Sequence, residues 1–148
     1  EKIIERSAKI LNIKMERGTE KILAQASRYT PRIANKLLKR TRDLAQVREE
    51  KLISPKVINE TLSMLDIDEL GLEATDRKIL RLIIENFNGG PVGIKTIAAS
   101  LAEEEETIED VFEPYLMQIG FLARTSKGRI ATKLAFDHLG IKNQTQII

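Results

Sequence analysis

Residues 120–132, Gly120-Phe121-Leu122-Ala123-Arg124-Thr125-Ser126-Lys127-Gly128-Arg129-Ile130-Ala131-Thr132, decide how the second half of the chain is read. Phe121–Arg124 and Arg129–Thr132 predict two short strands, with Thr125-Ser126-Lys127-Gly128 as the turn between them. Arg124 and Arg129 then stand near the facing ends of paired strands and can project together. With Lys127 at the turn, three cations share a hairpin that has no acid between them. A solubilising strand edge has the same composition. A lone basic patch in an otherwise acidic region, however, favours a nucleic-acid backbone as its partner.

Upstream of the hairpin, Asp76–Phe87 carries Ile79, Leu80, Leu82, Ile83, Ile84 and Phe87 at helical spacing and stops at Asn88-Gly89-Gly90-Pro91. Ile94 to about Leu101 predicts a second, short helix. Thr107 with Asp110 resembles a capping box, with Asp where Glu or Gln is usual, and opens a third helix through Gln118. Pro114 should bend that helix and Gly120 ends it. A last helix over Lys133–Leu139 follows the hairpin. Helix, helix, helix, β-hairpin is the order of a winged-helix domain, the helix-turn-helix variant with a wing. Glu109, Asp110 and Glu113 lie on the third helix, and Glu103–Glu106 stand just before it. Laid along phosphates, these would bring like charges together, so the wing is the expected contact, to the backbone or minor groove, with little sequence information.

The first half is basic. Residues 1–65 hold 15 Lys and Arg against 8 Asp and Glu, a balance of +7, whereas residues 66–148 hold 9 against 14, a balance of −5. Ile3, Ile4, Ala8 and Leu11 predict one helix, and Thr19 can cap a second that turns Ile22, Leu23 and Ala26 inward. Thr30-Pro31 predicts the start of the longest helix, reaching about Lys51: Thr30 offers a capping oxygen and Pro31 suits the first helical position. Its apolar stripe is Ile33, Ala34, Leu37, Leu38, Leu44, Ala45 and Val47, and its outer face carries Lys36, Lys39, Arg40, Arg42 and Arg48. Ser54-Pro55 repeats the signature for a fourth helix. Arg32 sits in the first turn of the third, where the helix dipole disfavours a cation. It is either a solvated surface arginine or half of an anion grip shared with free backbone N–H groups.

The fold class expected is therefore mainly α: a small helical bundle over 1–65, an acidic linker over 66–72, a winged-helix domain over 73–140 and a loose tail over 141–148. Glu1 falls inside a helical pattern, so the chain reads as a piece of a longer protein. With no cysteine there is no disulfide framework or thiol nucleophile, which fits a reducing cytoplasm. No apolar run approaches a membrane span. One histidine, His138, excludes triads and multi-histidine metal sites, and near a helix C-terminus it reads as structural. Glu103–Glu106 lacks the alternating ligands and glycine of a calcium loop. Gly89-Gly90-Pro91-Val92-Gly93 follows a helix and lacks Lys-Ser/Thr, so it reads as a helix stop and turn rather than a phosphate cradle.

Four strings in order, Thr-Pro-Arg-Ile-Ala-Asn (30–35), Gly-Gly-Pro-Val-Gly (89–93), Thr-Ile-Glu-Asp-Val-Phe-Glu-Pro-Tyr-Leu (107–116) and Gly-Phe-Leu-x-Arg-Thr-x-x-Gly-Arg-x-Ala-Thr (120–132), resemble the C-terminal part of the RuvB family. These are the ATP-driven motors of Holliday junction branch migration, in DNA recombination and repair. The resemblance covers residue 1 to about 141. It implies an AAA+ helicase and ATPase whose large nucleotide-binding domain lies outside this chain, which holds no Walker loop and should be inactive alone. Residues 1–65 then correspond to the lid and the winged-helix domain to the head.

By the same resemblance Arg32 is the sensor-2 arginine, which reaches the terminal phosphates of ATP, whose Mg2+ is held by the large domain. Arg124 and Arg129, with Lys127 beside them, become DNA contacts. Glu105 replaces a third basic contact of some relatives. The partners implied are the duplex arms of Holliday junctions, RuvA through the large domain, and five further copies in a homohexameric ring, with no membrane. ATP binding would draw the lid toward the large domain and move the wing along the duplex. Two other classes remain open at this point: a winged-helix transcription regulator with a helical effector domain, and an adaptor that meets a basic partner through the acidic helix.

Overall fold

The computed structural model describes residues 1–143, so the C-terminal part of the expected tail, 144–148, lies outside the described residues. The chain divides between Glu73 and Ala74 into two compact units.

The first unit contains α1 (Lys2–Ile10), α2 (Thr19–Ala26), α3 (Pro31–Val47) and α4 (Pro55–Met64). Its core is aliphatic: Ile4, Leu23, Leu37, Leu38, Val57 and Ile58 are all buried. Each such side chain removed from water contributes roughly 1.5–3 kcal/mol before conformational entropy is counted. Thr41, in the middle of α3, is also buried and donates its hydroxyl to the Leu37 carbonyl at 2.8 Å, which satisfies it within the helix. Val47, placed on the apolar stripe by spacing, is 81% exposed because α3 ends there and the chain turns away at Arg48. The acidic segment 66–72 is a closed turn, with Asp68 Oδ1 accepting from the N–H groups of Leu70 and Leu72, both at 2.9 Å.

The two Ser/Thr-Pro helix starts differ. Ser54 caps α4, its hydroxyl oxygen accepting from the Val57 N–H. Thr30 occupies the N-cap position of α3 but makes no side-chain cap; its hydroxyl donates to the Arg28 carbonyl at 3.2 Å. Arg28 and Tyr29, both at positive φ, turn the chain just before it, leaving that carbonyl within reach. Thr19 likewise is not a cap. It is the first residue of α2 and donates to the Glu16 carbonyl, while Glu20 accepts from the Gly18 N–H.

The second unit opens with α5 (Ala74–Arg81), which widens into a π-helical segment (Leu82–Asn86), followed by α6 (Ile94–Leu101). The third helix begins as α7 (Glu105–Thr107), passes through a second π segment (Ile108–Phe112) and resumes as α8 (Glu113–Gln118). Its N-cap position is Glu104, without a side-chain cap, so Thr107 lies within the helix and does not open a capping box. Pro114 falls in the first turn of α8. The wider preceding turn accommodates the N–H that proline lacks, so the expected bend takes the form of a π segment. The hairpin is β1 (Leu122–Thr125) and β2 (Gly128–Ala131), antiparallel, with Leu122 opposite Ala131 and Arg124 opposite Arg129. α9 (Lys133–Leu139) closes the unit, burying Ala135 and Phe136. The expected class, mainly α with a two-stranded wing, is the architecture found, with each strand displaced by one residue from its expected bounds on one side or the other.

Candidate nucleic-acid interface and nucleotide-sensor position

The wing turn is built by short-range bonds. Thr125 Oγ1 donates to the Gly128 carbonyl at 2.8 Å and accepts from the Lys127 N–H at 3.3 Å, leaving Ser126 and Lys127 at the exposed tip. Gly128 has φ +132°, and a Cβ there would lie 2.5 Å from the Val92 carbonyl oxygen. Glycine is required at this position both for the backbone conformation and for the close approach.

The loop 89–93 does more than stop a helix. Val92 exchanges two backbone bonds with Arg129: its N–H donates to the Arg129 carbonyl at 2.9 Å and its carbonyl accepts from the Arg129 N–H at 2.8 Å. Ala131 N–H donates to the Gly89 carbonyl at 2.9 Å. The loop thus lies beside β2 as an irregular third lane. Because both polar groups of Arg129 face Val92, Arg124 and Arg129 form a non-hydrogen-bonded cross-strand pair, the kind whose side chains lie closest together on one face.

Those two side chains converge on Glu113, at the start of α8, whose carboxylate is completely buried. Arg129 Nε donates to Oε1 at 2.5 Å and Arg129 Nη2 reaches Oε2 at 3.4 Å. Arg124 Nη2 donates to Oε2 at 2.5 Å. Glu109, one helical turn earlier, accepts from Arg129 Nη2 at 3.0 Å. Burial pushes the Glu113 carboxyl up, but the hydrogen bonds and charges of Arg129 and Arg124 outweigh it, holding the group below the ordinary carboxylate range. The Glu113 hydrogen bond likewise raises Arg129 above the usual guanidinium value, against its burial.

This arrangement separates the three cations expected at the DNA. The Arg129 side chain is 10% exposed and bonds two carboxylates through Nε and Nη2, whereas that of Arg124 is 49% exposed and Lys127 is open to solvent. Glu113 was missed by reading it as one of the surface acids that would repel phosphate; it is an interior counterion instead. The signal available in sequence was the i, i+4 spacing of Glu109 and Glu113 on a helix that precedes a hairpin bearing two paired arginines.

Arg32 stands in the first turn of α3, exposed, with Asn35, Lys36, Lys39 and Arg40 along the same open groove. Nothing acidic precedes the last turns of this groove; Asp43 lies at its far end and pairs with Arg42 at 2.9 Å. An exposed guanidinium at the positive end of a 17-residue helix is placed to meet an anion that approaches from outside the unit. Among the described residues, no group of three or more His, Asp or Glu side chains could hold a metal ion, and no helix is long and apolar enough to cross a membrane.

Comparison with known proteins gives a consistent picture. Residues 1–68 match the model for the RuvB AAA lid domain and residues 69–140 that for the RuvB C-terminal winged helix domain. The Holliday junction branch migration complex subunit RuvB of Solibacter usitatus is 51% identical over 142 residues, covering 96% of this chain and 41% of that protein. The corresponding subunit of Thermosipho melanesiensis is 53% identical over 143 residues, with 97% and 46% covered. Among solved structures, the Thermotoga maritima RuvB Holliday junction branch migration motor superposes with a TM-score of 0.89 at 45% identity, with 95% of this chain and 47% of that one covered. The chain thus spans less than half the length of the relatives it matches.

Proposed function

Since the chain belongs to the RuvB family, as its lid and C-terminal winged-helix portion, we propose that it is the nucleotide-sensing and DNA-gripping part of a motor that drives branch migration of Holliday junctions. In this reading the head grips duplex backbone with its wing, Arg124 and Lys127 making the outer contacts and Arg129 lying beneath them. The lid answers to ATP through Arg32. The observation that carries the proposal is the pairing of a half-exposed cation at Arg124 with a solvent-exposed one at Lys127 on a hairpin tip. Contact of this kind grips phosphate without reading bases, which is what a translocating motor needs.

The residues present fit one edge of an ATP site: Arg32 would supply a positive charge to the terminal phosphates of ATP, and a large domain outside this chain would hold Mg2+. A homohexameric ring and a contact with RuvA through that large domain complete the proposal. Its test is duplex binding by this chain at low salt. Arg124→Ala with Lys127→Ala should lower affinity about tenfold and flatten the salt dependence by one to two phosphate contacts, on the order of 0.9 per contact. Unchanged binding would remove the wing from the mechanism.

A further inference from the structure

We infer that Arg124 is a transferable arginine, exchanging between the buried Glu113 carboxylate and a duplex phosphate, and that Arg129 is the positioning residue that makes the exchange possible. The inference rests on the wing-to-duplex reading above and adds to it a mechanism of release.

Glu113 cannot be left without a cation, because a buried, uncompensated carboxylate would have to take up a proton or open its surroundings. Arg129 prevents this. Its Nε holds Oε1 and its Nη2 already reaches Oε2, the oxygen that Arg124 also uses. If Arg124 departs, both oxygens keep a guanidinium donor. Arg129 itself is held: its side chain is 10% exposed, Glu109 takes a further bond from Nη2, and Val92 bonds both its backbone N–H and its carbonyl.

Arg124 has the opposite character. Half of its side chain is open to solvent, and its bond to Glu113 uses one terminal nitrogen of a group with five N–H donors. A phosphate offers the same geometry as a carboxylate to that fork. Moving from Glu113 to phosphate therefore replaces one charge-assisted bond by another, and the net grip is the difference between them. Glu113 acts as a resident competitor that weakens each wing contact and speeds its release. Glu109, on the rim and 42% exposed, adds its field to the same side of the exchange.

The test uses this chain and a short fluorescent duplex of arbitrary sequence, with Glu113→Gln, Arg124→Ala and the double variant. Glu113→Gln keeps the shape of the acceptor and removes its charge. It should tighten binding about two- to fivefold at low salt, the size of a partly exposed ion pair converted to an affinity. In the Arg124→Ala background the same substitution should give no gain. A gain of equal size in both backgrounds, or a folded Glu113→Gln protein that binds no better than wild type, overturns the exchange and leaves the wing contact standing. If Arg124→Ala itself leaves affinity unchanged, the wing reading fails instead. Should Glu113→Gln not fold, side-chain NMR of the wild-type guanidinium groups during duplex titration decides the matter. Arg124 signals should shift while those of Arg129 stay, and joint movement of both overturns the inference.

Discussion

Arg124 and Arg129 face each other across the hairpin and place their guanidinium groups on the two oxygens of one buried carboxylate, that of Glu113. A helix that carries the acid and a wing that carries the cations are thereby fastened to each other inside the head. Removing the acid outright leaves the buried Arg129 with only the rim partner Glu109. Glu113→Ala should therefore destabilise the head by about 3–5 kcal/mol, the range for breaking a buried pair from one side. Hydrogen exchange of head amides measures it, and a loss below about 1 kcal/mol would show that the pair is dispensable.

The same pair fixes a pH dependence. The folded-state pKa of Glu113 is depressed relative to an unfolded glutamate of about 4.3. The stability it contributes is present above that unfolded value and is lost as pH falls through the lower folded value. Acid unfolding of the head should thus steepen below about pH 4. In Glu113→Gln that part of the curve should flatten, which a denaturation series at several pH values reads directly.

Gly128 supplies a prediction about backbone rather than charge. Its φ of +132° and the 2.5 Å approach of a would-be Cβ to the Val92 oxygen make Gly128→Ala strained twice over. A cost on the order of 1–3 kcal/mol is expected, concentrated where β2 meets the loop. Faster exchange of the Arg129 and Val92 amides, whose bonds would part first, is the expected signature.

The fold was legible because each element of the head announces itself by periodicity or by punctuation: the Ile79–Ile84 stripe, the Asn-Gly-Gly-Pro stop, and two short strands around a Ser-Lys turn. The site was only half legible. Arg124, Lys127 and Arg129 are neighbours in sequence, so their cluster could be read directly. Glu113 is eleven residues from Arg124, and on a helix an acid at that spacing reads as solvated unless the partner strands are placed in space. The role of Gly89-Gly90-Pro91-Val92-Gly93 beside β2 was hidden for the same reason, since bonds from Val92 to Arg129 span 37 positions and leave no periodic trace.

The two proline-led helix starts give a contrast that needs no ligand. Ser54 accepts from the Val57 N–H, so Ser54→Ala should cost about 1 kcal/mol of lid stability. Thr30 occupies the same position on α3 but spends its hydroxyl on the Arg28 carbonyl. Thr30→Ala should cost only a few tenths of that scale. Equal losses in thermal denaturation would mean that Thr30 caps in solution.

Arg32 is exposed, adjoins Lys36 one turn along, and makes no ion pair among the described residues. Its substitution should therefore leave the lid as stable as before, within about 0.5 kcal/mol, or slightly more stable because a cation leaves the positive end of α3. The use proposed for this exposed cation, which the helix dipole disfavours, is contact with the terminal phosphates of ATP. In the full-length protein, Arg32→Ala should then lower ATP hydrolysis at least tenfold, the scale of losing one charge-assisted contact to a phosphate in a closed site. Arg32→Lys should recover only part of it, because an ammonium keeps the charge and loses the fork. Melting temperature and turnover measured on the same three proteins separate the two roles. Turnover at the wild-type rate with Ala at position 32 would leave Arg32 as an ordinary surface cation.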